Sequence, residues 1–144
     1  MLTESDRAIL DETYRACTMG TEAINTIIHK VTDEKLALDL NRQACRYSGF
    51  AQKVAEKLAM EYEAPKGQSA GKAMVWAGIQ MNTLTNASTE HVVELMIRGN
   101  ADAITDIMKV MKANKSAKKE YCELAEDIMD FEEKCIETLK TYLK

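Results

Sequence analysis

The chain has 144 residues, 46% of them apolar and 29% charged, with a formal net charge of −4. That length holds one core, a single domain over 1–144, and buries roughly two-thirds of the surface the unfolded chain exposes; no apolar run approaches the roughly 20 residues of a membrane span. Lys and Arg are interleaved with Asp and Glu, so no basic stripe is available to neutralise phosphates, and neither nucleic acid nor membrane is an expected partner.

The opening Met1-Leu2-Thr3-Glu4-Ser5-Asp6 has no basic region and no apolar stretch of the secretory kind, and a cytoplasmic location is expected. Thr3 or Ser5 is placed to cap a first helix running to about Val31, along which Ile9, Thr13, Ala16, Cys17, Gly20, Ile24, Ile27 and Val31 recur at helical spacing. Its polar face is read as Glu12, Arg15, Glu22 and Asn25, with Glu22 turned to water. A break at Thr32-Asp33 precedes a second helix of about 34–62 with the inner stripe Leu36, Leu40, Ala44, Tyr47, Ala51, Val54, Leu58 and Tyr62. So short a connection makes the pair antiparallel neighbours.

Pro65 and Gly67 mark a loop, after which a shorter helix of about 70–84 is predicted. Asn86 to Ser88 provides the next stop and cap. A third long helix of about 89–114 turns Val92, Met96, Gly99, Asn100, Ala103, Ile107, Val110 and Met111 inward. The turn at Asn114 to Ser116 leads to a fourth of about 117–143, with Tyr121, Leu124, Ala125, Ile128, Phe131, Glu132, Cys135, Leu139 and Tyr142 on one face. Two antiparallel pairs joined by a link of some 25 residues predict an all-α, ferritin-like four-helix bundle with a short helix in the long crossover between helices two and three. A five-helix up-and-down array is the competing topology.

The stretch Ala73-Met74-Val75-Trp76-Ala77-Gly78-Ile79-Gln80-Met81-Asn82-Thr83-Leu84, followed by Ser88, His91, Glu94, Met96, Ile97 and Gly99, resembles a group of small uncharacterised bacterial proteins with ferritin-like bundles. The resemblance extends over most of the chain. It implies the fold and carries no assigned activity.

Ferritin-like dimetal centres take an inward Glu from each of two helices and a Glu-x-x-His from each of the other two. This chain has no Glu-x-x-His, and its two histidines, His29 and His91, stand near helix ends. No metal or other cofactor is expected. The four cysteines, Cys17, Cys45, Cys122 and Cys135, have no CxxC or CxxH spacing and read as free thiols. The nine methionines read mainly as gap-fillers of a helical core.

Helical projection does place Asn100 and Glu132 inward, each 16 residues from Ser116 and therefore at one level. Cys135 lies a turn further along, with Cys17 and Tyr47 at a similar height if the crossover topology holds. This buried polar cluster of Glu132, Cys135, Asn100, Cys17 and Tyr47 reads as a knot fixing the register of the bundle. The alternative is a degenerate ferritin-like metal or redox site using Glu132, Cys135 and Cys17. On the crossover helix, Trp76 and Ile79 lie beyond the stripe that would pack on the bundle and read as the face of a homodimer. The expected function is therefore a non-enzymatic, dimeric interaction or structural protein. An apolar ligand carrier is a third reading, which needs a cavity at the small inward residues Gly20, Ala44, Ala51 and Gly99.

Overall fold

The computed structural model describes residues 1–65 and 88–144. The predicted crossover helix, with Trp76 and Ile79, lies outside the described residues. Among these, the chain is an all-α four-helix bundle: α1 spans Glu4–Ile27, α2 Glu34–Met60, α3 Thr89–Ala113 and α4 Lys119–Lys140. Single turns of 3₁₀ helix at Ile28–Lys30 and Thr141–Leu143 close α1 and α4, which accounts for the longer helices that periodicity alone predicts.

The starts of the helices follow local chemistry. Thr3 and Asp6 form a reciprocal capping box: the Asp6 N–H donates to Thr3 Oγ1 and the Thr3 N–H to the Asp6 carboxylate, each at 3.0 Å. Asp33 caps α2 through the Leu36 N–H at 2.9 Å, and Ser88 caps α3 through the His91 N–H at 3.2 Å. Helix α2 ends at Met60, and Tyr62 beyond it has a positive φ of 59° and is 99% exposed. The inner stripe drawn through Tyr62 therefore runs one turn too far, because the backbone there has already left the helix.

Contacts at the ends fix the helix directions. Met1 and Arg7, at the start of α1, pair with Glu61 and Glu63, just past the end of α2. Asp6 accepts from the Lys118 N–H at 2.7 Å, so α1 and α4 begin at the same end. Lys57 meets Glu120 and the Tyr142 hydroxyl donates to Asp39, so α2 runs against α4. Arg15 of α1 reaches Asp106 of α3 at 3.0 Å. Helices α1 and α4 are thus parallel to each other, and α2 and α3 run together in the opposite sense. Residues 65 and 88 lie at opposite ends of the bundle, which excludes a tight turn directly between α2 and α3 and is common to a long crossover and a five-helix up-and-down array.

The core is continuous along the bundle. On α4 the buried residues are the predicted face, with Tyr142 partly covered. On α2 the buried seam is Leu36, Leu40, Gln43, Tyr47, Phe50, Val54 and Leu58, so Gln43 and Phe50 take the places expected of Ala44 and Ala51. Glu22 is only half-exposed and one of its oxygens is shielded, contrary to its placement towards water. The cause is that α1 is packed on α2 along one flank and on α3 along the other, which leaves it little free surface.

Candidate functional site

Among the described residues, a carboxyl group without a charge partner lies in the middle of the bundle. Glu132 on α4 is 0% exposed, and Asn100 on α3 and Tyr47 on α2 are each 2% exposed. Tyr47 reaches this level because α1 carries Gly20 opposite it. A Cβ at that position would lie 2.6 Å from Tyr47 Cζ, so only a glycine lets the ring cross α1 so closely. Phe131 holds the other side of the ring in an edge contact, with centroids 4.9 Å apart and planes at 82°. Thus placed, the Tyr47 hydroxyl accepts a hydrogen bond from Asn100 Nδ2 at 2.8 Å.

Three oxygen atoms are left over. Neither oxygen of Glu132 nor Oδ1 of Asn100 has a hydrogen-bond partner among the described residues. Burial pushes the Glu132 carboxyl up to about 8; Tyr47 and Asn100 lie near enough to draw it back in part, although neither meets it in standard hydrogen-bonding geometry. At neutral pH the group is therefore mainly a neutral carboxylic acid. Burial, and after it the neighbouring Glu132, also pushes the thiols of Cys17 and Cys135 far above their usual value. Burial, with Glu132 and Cys135 next, does the same to the Tyr47 hydroxyl.

All five residues of the expected cluster are therefore brought to one level. Their chemistry differs from that of a redox centre, since a reactive cysteine needs a stabilised thiolate and these thiols are held protonated. Nor do they come together as ligands: among the described residues no group of three or more His, Cys, Asp or Glu side chains is arranged to hold a metal ion. Asn100 pairs with Tyr47, and the direct Asn100–Glu132 bond expected from their common level does not form.

Sequence reasoning offered a cavity at small inward residues as one alternative and placed it only in part. A cavity of about 430 Å³ opens between α1 and α3, and Tyr47, Asn100 and Glu132 lie at its inner end. Ala16, Ala23, Leu95 and Ala103 are among its apolar walls, and Gly20 and Gly99 widen it. Of the four small residues expected at such a cavity, Gly20 and Gly99 are there, whereas Ala44 and Ala51 do not line it. At the rim Arg15 is held by Glu12 at 2.8 Å and by Asp106 at 3.0 Å. The Glu12/Arg15 spacing along α1 was a legible signal for half of that network. Comparison with protein-family models, curated proteins and solved structures returned no match, and the site is read from its own geometry.

Proposed function

We propose that this chain is a non-enzymatic, ferritin-like helical-bundle protein that acts by binding, and that the α1/α3 cavity is where a small organic ligand is held. One observation carries the reading: a ligand-sized cavity ends on a buried carboxyl group and an amide oxygen that the described chain leaves without partners. Small-molecule sites combine mostly apolar walls with a few convergent polar atoms, and buried polar atoms are ordinarily satisfied, so a site of this composition is suited to a ligand that satisfies them. The arrangement offers no activated nucleophile, since both buried thiols and the tyrosine hydroxyl are held protonated.

Ligand-observed NMR with 2-phenylethylamine, 2-phenylethanol and phenylacetate tests this reading. At least one probe binds the wild type, and Ala103→Phe, which fills the cavity from a half-buried position, abolishes the binding while helical content is kept. Failure of all three probes, or binding that Ala103→Phe leaves intact, would remove the cavity from the function.

The ferritin-like name, the cytoplasmic location and the homodimer belong to the same proposal. Among the described residues no helix is long and apolar enough to cross a membrane. The dimer rests on Trp76 and Ile79, three residues apart in sequence and unsuited to exposure. Sedimentation at high micromolar concentration is expected to show a dimer that Trp76→Ala shifts towards monomer; a monomeric wild type would end the idea.

A further inference from the structure

We infer that the α1/α3 cavity is an amine site, in which a small primary amine with an apolar body sets its ammonium group on Glu132 and Asn100. This rests on the binding reading above and names the class of ligand. With Glu132 ionised, the unmatched atoms at the inner end, Glu132 Oε1 and Oε2 and Asn100 Oδ1, are all acceptors. An ammonium group carries three donors and no acceptor, which complements that set. An alcohol brings one donor, and a carboxylate adds acceptors where acceptors are already in surplus.

Charge points the same way. Among the described residues no basic side chain neutralises Glu132: Arg15 is engaged at the rim by Glu12 and Asp106, and Arg46 stacks outside on Phe50 and Phe131, 5.2 and 5.5 Å from their centroids. The outer lining carries Glu12, Asp102 and Asp106 against Arg15 and Lys109, so acids outnumber bases along the approach. The apolar walls, Ala16, Ala23, Leu95 and Ala103, take the body of the ligand. A charge-assisted bond in such a site, shielded from water, is stronger than a neutral one.

The proton balance gives the site a signature. The titratable groups facing Glu132 are Cys17 from α1, Tyr47 from α2 and Cys135 on α4, while α3 presents the neutral Asn100; Arg46 acts on Cys135. The two thiols and the hydroxyl stay protonated across neutral pH, so Glu132 alone of this set titrates there. Below about pH 8 the free site is a carboxylic acid. Binding of R–NH₃⁺ then releases the Glu132 proton to solvent and leaves an ammonium–carboxylate pair. Affinity for the amine therefore rises about tenfold per pH unit below that point and levels off above it, until the amine itself deprotonates near pH 10.

Calorimetry of the full chain with 2-phenylethylamine, 2-phenylethanol and phenylacetate, from about pH 6 to 9, is the test. The amine is expected to bind at least about tenfold more tightly than either counterpart at pH 8, releasing close to one proton per ligand at pH 6.5. Glu132→Gln, nearly the same shape and monitored for helical content, is expected to erase both the preference and the proton release. Asn100→Leu supplies a second variant: it removes one acceptor and weakens the amine more than the alcohol. Equal or tighter binding of the alcohol or the carboxylate, or amine binding unchanged in Glu132→Gln, would overturn the amine assignment and leave a cavity that binds something else. Absence of binding by all three probes would overturn the cavity reading and the amine assignment together.

Discussion

At the scale of single residues, Glu132 is where the fold accepts a cost. The folded chain holds its proton up to about pH 8, whereas an unfolded glutamate releases it near the usual 4.5. Between those values the native state binds the extra proton, so stability from this group is fully present below the lower value and is lost as pH rises to the upper one, by about 1.4 kcal/mol for each pH unit. Glu132→Leu keeps the volume and removes the titration. Its denaturant-unfolding free energy, followed from about pH 5 to 8.5, is expected to lose that downward slope and to exceed the wild type at the alkaline end; parallel profiles would show that Glu132 does not titrate in this window. The inward placement of Glu132 and Asn100 was legible because both are counted from the same hairpin turn at Ser116. The Tyr47–Asn100 bond was not, because Tyr47 lies across the long link, and no count along the chain fixes its height or its rotamer. The cavity was half legible, since a projection finds small inward residues but cannot say which neighbour's side chain fills the space they leave.

At the scale of elements, Gly20 and Gly49 make opposite predictions. Gly20 lies under the Tyr47 ring, where a methyl group would sit 2.6 Å from ring carbons, while Gly49 on the exposed side of α2 has nothing within 4 Å of such a group. Gly49→Ala is expected to stabilise by about 0.5–1 kcal/mol through helix propensity. Gly20→Ala gains the same propensity but must displace a buried ring bonded to Asn100, for a net loss of about 1–3 kcal/mol and an altered near-ultraviolet circular dichroism signal from Tyr47. Similar effects of the two changes in thermal unfolding would mean that the ring does not pack on α1. The start of α1 has its own control point. Burial raises the Asp6 carboxyl, but bonds from the Lys118 and Thr3 N–H groups and the link to the Thr3 hydroxyl outweigh it and hold the pKa below its usual value. Its contribution is therefore present above the unfolded value of about 4 and fades as pH falls through the lower folded one. Asp6→Ala removes a cap of α1 and the tie to the start of α4 together, with an expected cost of about 1–3 kcal/mol at neutral pH that shrinks in acid. The capping residue Thr3 was visible in sequence; the tie to Lys118 joins residues 112 apart and was not. On α2 the buried seam runs through Gln43 and Phe50, each one residue before the Ala44 and Ala51 of the projected stripe.

At the scale of the whole molecule, the order of helix directions is the feature on which the site depends, since it brings Tyr47 of α2 opposite Asn100 of α3 and beside Glu132 of α4. Four amphipathic helices and one long link specified an all-α bundle from sequence because each apolar stripe demands a neighbour and short turns can only give antiparallel pairs. The choice between a crossover and an up-and-down array was open at that level, as both bury the same stripes. Both run α3 in the sense of α2; the arrangement that differs in which ends meet is a tight turn directly between α2 and α3. In the observed arrangement Ser5, at the start of α1, lies 3.1 Å, oxygen to oxygen, from Ser116 in the α3–α4 turn. A tight turn directly from α2 to α3 would reverse the sense of α3 and place its C-terminal turn at the other end of a bundle roughly 35 Å long. A Ser5→Cys/Ser116→Cys pair, made with Cys45 and Cys122 replaced by serine to leave only buried native thiols, is therefore expected to close intramolecularly under mild oxidation, because small side-chain rotations suffice to bring the sulfurs together. Closing a loop of that length should raise stability by up to about 4–5 kcal/mol, less whatever strain the bridge introduces. Non-reducing electrophoresis and peptide mapping decide the matter: a bridge formed in the monomer fixes α1 and α4 as parallel neighbours, and two thiols that stay free, or link only between molecules, would place these ends apart and dissolve the site that the four helices build.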